Sequence, residues 1–61
     1  MSLEEKDVLK ALNKHGDSNL YQLTQYTGRD IDYIGSGAKK LEEKKIVKIK
    51  KGPLFNIVSK V

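Results

Sequence analysis

Apolar positions recur at helical intervals through the first two thirds of the chain and at every second residue in the last third. In the opening stretch, Val8, Leu9, Ala11 and Leu12 fall on one side of a helix, with Lys6, Lys10 and Lys14 on the other. Ser2 followed by Glu5 has the spacing at which two side chains cap each other's backbone N–H groups, so the helix is predicted to begin at Leu3. Gly16 is placed to end it. Asn19 and Gln22 repeat the cap spacing, and Leu20, Leu23 and Tyr26 or Thr27 follow at helical intervals until Gly28. Asp30 then caps a third helix, whose apolar Ile31, Ile34, Ala38 and Leu41 recur at steps of three, four and three. With those residues in the core, Tyr33, Ser36, Lys39 and Lys40 are expected to look outward.

Beyond Lys44 the period changes to two. Val47 and Ile49 should point one way and Lys48 and Lys50 the other, as a half-buried strand requires. Gly52-Pro53 supplies a turn, and Leu54-Phe55-Asn56-Ile57-Val58 is predicted to return as the second strand, with Phe55 and Ile57 in the core.

A chain of 61 residues has room for one small core, so residues 1–61 are expected to form a single domain with no separate substrate domain. Without cysteine it has neither a disulfide framework nor a thiolate metal site, and stability must come from packing, caps or a partner. No apolar run approaches the roughly 20 residues of a membrane span. The acidic opening Met1-Ser2-Leu3-Glu4-Glu5 does not read as a secretory signal. The expectation is a soluble, cytoplasmic protein without a membrane partner.

The net charge of +4 is unevenly distributed. Residues 1–38 carry four basic and six acidic side chains, a net of −2, whereas residues 39–61 carry eight lysines against Glu42 and Glu43, a net of +6. One end of the molecule can therefore attract a polyanion while the other remains in water.

Candidate catalytic chemistry is sparse. His15-Gly16-Asp17-Ser18 brings three suggestive residues together, but adjacency in a loop does not create the orientation of a catalytic triad, and the segment reads as a capped turn. Gly35-Ser36-Gly37 lacks the flanking residues of a nucleophile elbow or a phosphate loop. A lone histidine among scattered carboxylates makes no transition-metal set, and no catalytic, cofactor or metal residues are assigned. Tyr21 and Tyr26 could stack on a base or a partner, or simply rim the core.

The order helix, helix, turn, helix, hairpin resembles the winged helix-turn-helix DNA-binding domains of small archaeal and bacterial transcription regulators. Gln22-Leu23-Thr24-Gln25-Tyr26-Thr27-Gly28 looks like that family's second helix and turn. Ile34, Ala38 and Leu41 match the buried positions of its recognition helix, and Leu41 to Val47 match the helix end and first wing strand. The likeness covers roughly residues 3 to 58. It implies an α+β fold, three helices packed on a small antiparallel β-hairpin wing. Arg29 stands where the family usually has leucine, and Lys45 where it usually has glycine. Gly35 and Gly37 each cost the third helix about 1 kcal/mol relative to alanine. They allow either close approach to a nucleic-acid backbone, or tight packing or a kink against the first helix. The hairpin is also similar to the wing of left-handed-DNA-binding winged helices. There, however, Gly35 and Lys39 replace the expected asparagine and tyrosine, and Phe55 the tryptophan, which sets that reading aside.

The resemblance implies a non-enzymatic protein that binds double-stranded DNA, a small transcription regulator or architectural factor needing no cofactor. The third helix would enter the major groove, with Tyr33 and Ser36 nearest the base edges. Lys39, Lys40, Lys48, Lys50 and Lys51 would contact phosphates. Asp30 and Asp32 oppose DNA unless one caps the helix and the other turns away. The alternative is a winged-helix module that binds a protein partner or a second copy of itself, within a larger assembly; a docking domain of a larger enzyme is a third reading.

Overall fold

A computed structural model describes all residues, 1–61. The chain order is α1 (Leu3–His15), β1 (Ser18–Asn19), α2 (Leu20–Thr27), α3 (Ile31–Glu43), β2 (Val47–Lys51) and β3 (Asn56–Lys60).

All three helices begin at the expected caps. The Ser2 hydroxyl accepts from Glu5 N–H at 3.3 Å while the Glu5 carboxylate accepts from Ser2 N–H at 3.0 Å. Asn19 and Gln22 form the same reciprocal pair at 2.7 and 2.9 Å. Asp30 Oδ1 accepts from Tyr33 N–H at 2.9 Å, which commits this carboxylate to the start of α3. Gly28 ends α2 in the left-handed region, φ 71°, where a side chain would be disfavoured. Three successive side-chain caps satisfy backbone donors that would otherwise face water unpaired, and each typically contributes about 1 kcal/mol.

The C-terminal end of α3 is closed differently. Lys45 N–H donates to Glu42 O at 2.9 Å and Ile46 N–H to Leu41 O at 3.0 Å, the paired bonds of a Schellman motif. Lys45 holds the left-handed position, φ 62°, and is the one non-glycine residue with positive φ. The resemblance had placed glycine here, and the backbone keeps the conformation that glycine would favour.

One core joins every layer. It consists of Val8, Ala11 and Leu12 from α1, Leu23 from α2, Ile34, Ala38 and Leu41 from α3, Val47 from β2 and Val58 from β3. Fully burying one such valine, leucine or isoleucine contributes about 1.5–3 kcal/mol, so a few displaced side chains would matter greatly in a domain of this size.

Several expectations require correction. The expected β2–β3 hairpin is present, and the unexpected two-residue β1 adds a third antiparallel strand to it, in the order β1-β3-β2. Ser18 and Asn19 pair with Val58 and Ile57 and so tie the wing to the helical layer. The returning strand is Asn56–Lys60, not Leu54–Val58. Phe55 is exposed, and Ile57, opposite Lys50, lies half-buried on the outer face. Val58 is the core residue because it pairs with Ile49, and cross-strand partners share a face. A shift of one residue in that parity exchanges the two faces of a strand. Ile31, expected in the core, is exposed in the first turn of α3, where the helix emerges from the packed layer. Tyr33, expected to face outward, is half-buried against the core.

Candidate nucleic-acid interface

Helix α3 packs against α1 on one side and meets α2 and β2 on others. Its exposed residues include Asp32, Ser36, Lys39, Lys40, Glu42 and Glu43, with Ser36 and Lys39 adjoining the half-buried Gly35. The two glycines of the helix differ. A Cβ on Gly37 would lie 2.5 Å from the Glu4 carbonyl oxygen and 3.1 Å from Val8 Cγ2, whereas one on Gly35 would meet nothing within 4 Å. Gly37 is therefore a packing residue between α1 and α3, and Gly35 leaves a bare spot on the free side.

Ion pairs sort the cations of this region into two groups. Lys40 Nζ pairs with Glu4, which raises the lysine pKa chiefly through the hydrogen bond between them. Lys44 Nζ lies 2.8 Å from Glu5 Oε2, an oxygen with no other partner. The Lys44 ammonium, the Ser2 N–H and the Ser2 hydroxyl hold the Glu5 carboxylate down to about 2, from an ordinary 4.5, against the opposing effect of burial. These two pairs clamp the start of α1 to the second half of α3. Lys39, Lys45, Lys48, Lys50 and Lys51 form no ion pair and are exposed. On the sheet, Lys48 and Lys50 stand opposite Ser59 and Ile57, and Lys51 opposite Asn56. In chain order the unpaired lysines are Lys39 in α3, Lys45 just beyond its end, and Lys48, Lys50 and Lys51 on β2.

Tyr33 is fixed from both sides. Its hydroxyl donates to Asp7 Oδ2 at 2.8 Å, and the Arg29 guanidinium lies 4.9 Å from the ring centroid. Arg29 Nε also stands 3.5 Å from Asp7 Oδ2. Hydrogen bonding to the negative carboxylate, helped by desolvation, raises the Tyr33 pKa and keeps the phenol a donor. Of the residues singled out from sequence, Ser36, Lys39, Lys48, Lys50 and Lys51 are free and exposed, while Tyr33 and Lys40 already have partners on α1. The Asp7–Arg29–Tyr33 group was not legible in the sequence, because it joins residues 26 apart through tertiary packing.

The residues of the suggestive His15 segment face different ways. His15 stacks on Tyr26 with ring centroids 3.8 Å apart and planes 11° from parallel. Ser18 is buried with its hydroxyl donating to Gly16 O at 2.9 Å. No relay joins them.

A helix-turn-helix formed by α2 and α3, supported by α1 and followed by a β2–β3 wing, defines the winged helix-turn-helix fold. The solved structures similar to this chain have the same fold. BpsR of Bordetella bronchiseptica, whose DNA binding is regulated by 6-hydroxynicotinic acid, matches with a TM-score of 0.91 at 19% identity over 100% of this chain and 48% of its own. A probable transcriptional regulator from Pseudomonas aeruginosa matches with a TM-score of 0.79 at 18% identity over 95% of this chain and 46% of its own. The chain therefore spans about half the length of the structures it matches. No protein-family model and no curated protein matches the sequence. No helix is long and apolar enough to cross a membrane.

Proposed function

We propose that this chain is a DNA-binding module of a transcription regulator or architectural factor, acting by binding alone. In this reading the exposed side of α3, with Ser36 at its centre, enters the major groove, which is wide enough to admit a helix. Lys39, Lys48, Lys50 and Lys51 contact phosphates and supply affinity that depends little on sequence. Lys40 can join them only by leaving Glu4, and Tyr33 acts through the position of α3 rather than at a base edge. The observation that carries the proposal is that Lys39 on α3 and Lys48, Lys50 and Lys51 on the wing are exposed and free of ion pairs, while the acidic cap of α3 is already satisfied. The regulated DNA binding of BpsR, and the probable regulator role of the Pseudomonas aeruginosa protein, support it.

Fluorescence anisotropy with a labelled duplex at several salt concentrations tests the reading. Four phosphate contacts predict that log K falls against log salt with a slope of roughly −3 to −4. A flat dependence, or no binding at low salt, would overturn it in favour of a protein partner.

A further inference from the structure

The charges of α1 are sorted by side. Its three carboxylates, Glu4, Glu5 and Asp7, all turn toward α3 and the turn before it, where Glu4 pairs with Lys40, Glu5 with Lys44, and Asp7 with both Arg29 and the Tyr33 hydroxyl. Its three lysines do the opposite. At about 100° per residue, Lys6, Lys10 and Lys14 fall on the side of the helix away from the buried Val8, Ala11 and Leu12, and each is exposed and free of any ion pair. Lys60 adds a fourth cation from β3, because its ammonium donates to Asn13 Oδ1 at 2.5 Å, beside Lys14. The net of −2 over residues 1–38 therefore conceals a helix face whose charges are all positive.

We infer that this face of α1 is a second DNA-binding surface, which lets one copy of the chain hold two duplexes at once. This rests on the DNA-binding reading above, in which the first duplex lies on α3 and the wing. Contacts with α3 and Arg29 occupy the flank of α1 that carries Glu4 and Asp7, so the lysine face points away from α3, and a duplex seated there leaves it in water. Lysines four residues apart are separated by about 6 Å along a helix, so the three span about 12 Å, over which one DNA strand presents roughly three or four phosphates. Ammonium groups on flexible stems follow such a row without reading bases. A duplex fits this surface better than a protein does. The cores of protein interfaces are apolar and depleted of lysine, whereas Leu3 is the one large apolar side chain that α1 exposes.

The test immobilises one biotinylated duplex on beads, saturates it with protein and offers a second, fluorescent duplex at several salt concentrations, with labelled polyglutamate as a separate arm. The parent should sediment as a monomer and capture the second duplex, with a salt slope of roughly −3 for the three lysines. Lys6→Gln/Lys10→Gln/Lys14→Gln should bind a single duplex in solution nearly as tightly as the parent, yet lose capture by about tenfold or more. Lys6→Arg/Lys10→Arg/Lys14→Arg, which keeps the charges, should capture as the parent does. Because all three positions are exposed, both variants should unfold at the parent's denaturant concentration. A parent that binds one duplex but captures none, or capture that survives in the glutamine variant, would overturn the second surface while leaving the DNA-binding reading intact. Single-duplex binding that falls as far as capture would place these lysines in the first site, and a dimeric parent would assign bridging to paired copies; either overturns the proposal. Absence of any duplex binding by the parent would overturn both readings. Polyglutamate bound through these lysines, with no second duplex captured, would assign the face to an acidic protein instead.

Discussion

Gly37 of α3 lies against the backbone of Glu4 in α1, so close that a β-carbon at position 37 would come within 2.5 Å of the Glu4 carbonyl oxygen. Gly35, half a turn earlier, has open space where its side chain would be. Alanine should therefore have opposite effects at the two sites. Gly37→Ala must push α1 and α3 apart, an overpacking cost of about 1–3 kcal/mol. Gly35→Ala should instead stabilise the protein by up to about 1 kcal/mol through helix propensity. Urea unfolding of both variants measures the contrast, and equal shifts would contradict the packing of α1 on α3.

The same pair of helices makes the protein acid-sensitive at one identifiable carboxylate. Glu5 is held at about 2 by Lys44 and Ser2, below its ordinary 4.5. A depressed carboxylate contributes stability that is present above its unfolded pKa and is lost as pH falls toward its folded one. Stability should thus decline from about pH 4.5 toward pH 2. Glu5→Gln should lower the midpoint of unfolding at pH 7 and flatten that decline. If the variant follows the parent's acid profile, the Lys44 contact does not hold Glu5 in solution.

Lys45 offers a stabilising change. A lysine in the left-handed region bears a cost that glycine escapes, of order 1–2 kcal/mol, partly offset by the greater freedom of glycine in the unfolded chain. Lys45→Gly should raise stability by about 0.5–1 kcal/mol, measurable as a later denaturation midpoint, without altering the paired bonds that close α3. A loss of stability would mean that the lysine side chain makes a compensating contact. The lost positive charge should also slightly weaken duplex binding if Lys45 lies near DNA.

The helices were legible because their information is local. Ser2, Asn19 and Asp30 announce three starts within a few residues of the groups they cap, and Gly16 and Gly28 announce two stops. The wing was legible as far as Lys51 because lysine alternates with Val47 and Ile49. Past the turn, alternation leaves either Phe55 and Ile57 or Val58 facing inward, and only the register with Ile49 decides for Val58. Strand β1 has two residues, too few for any alternation, and Asn19 serves both as its end and as the cap of α2. At the candidate interface, the exposure of Lys48 and Lys50 follows from strand parity, whereas Lys51 shares the parity of Val47 and Ile49 and is exposed because it ends β2 at the turn. Which lysines already had partners could not be read from sequence, since Lys40–Glu4 and Lys44–Glu5 depend on how α1 crosses α3.

Helix and wing should divide affinity from specificity. Lys50 and Lys51 end β2 at the turn, exposed and without ion pairs, and an ammonium on a flexible stem follows phosphates but has no fixed fork with which to read a base. Lys50→Ala/Lys51→Ala should therefore weaken binding to all duplexes alike and reduce the salt slope by up to about 2. Ser36 stands on the exposed side of α3 beside Gly35, where a short hydroxyl can hydrogen-bond to a base edge. Ser36→Ala should leave the salt slope nearly unchanged and reduce the preference for a selected site over a scrambled duplex by about 1 kcal/mol. Titrating both variants against both duplexes separates the two roles, because one changes the salt dependence and the other the discrimination. Should the lysine variant bind as tightly as the parent at every salt concentration, the wing is not a phosphate clamp, and a protein partner becomes the better account of its charge.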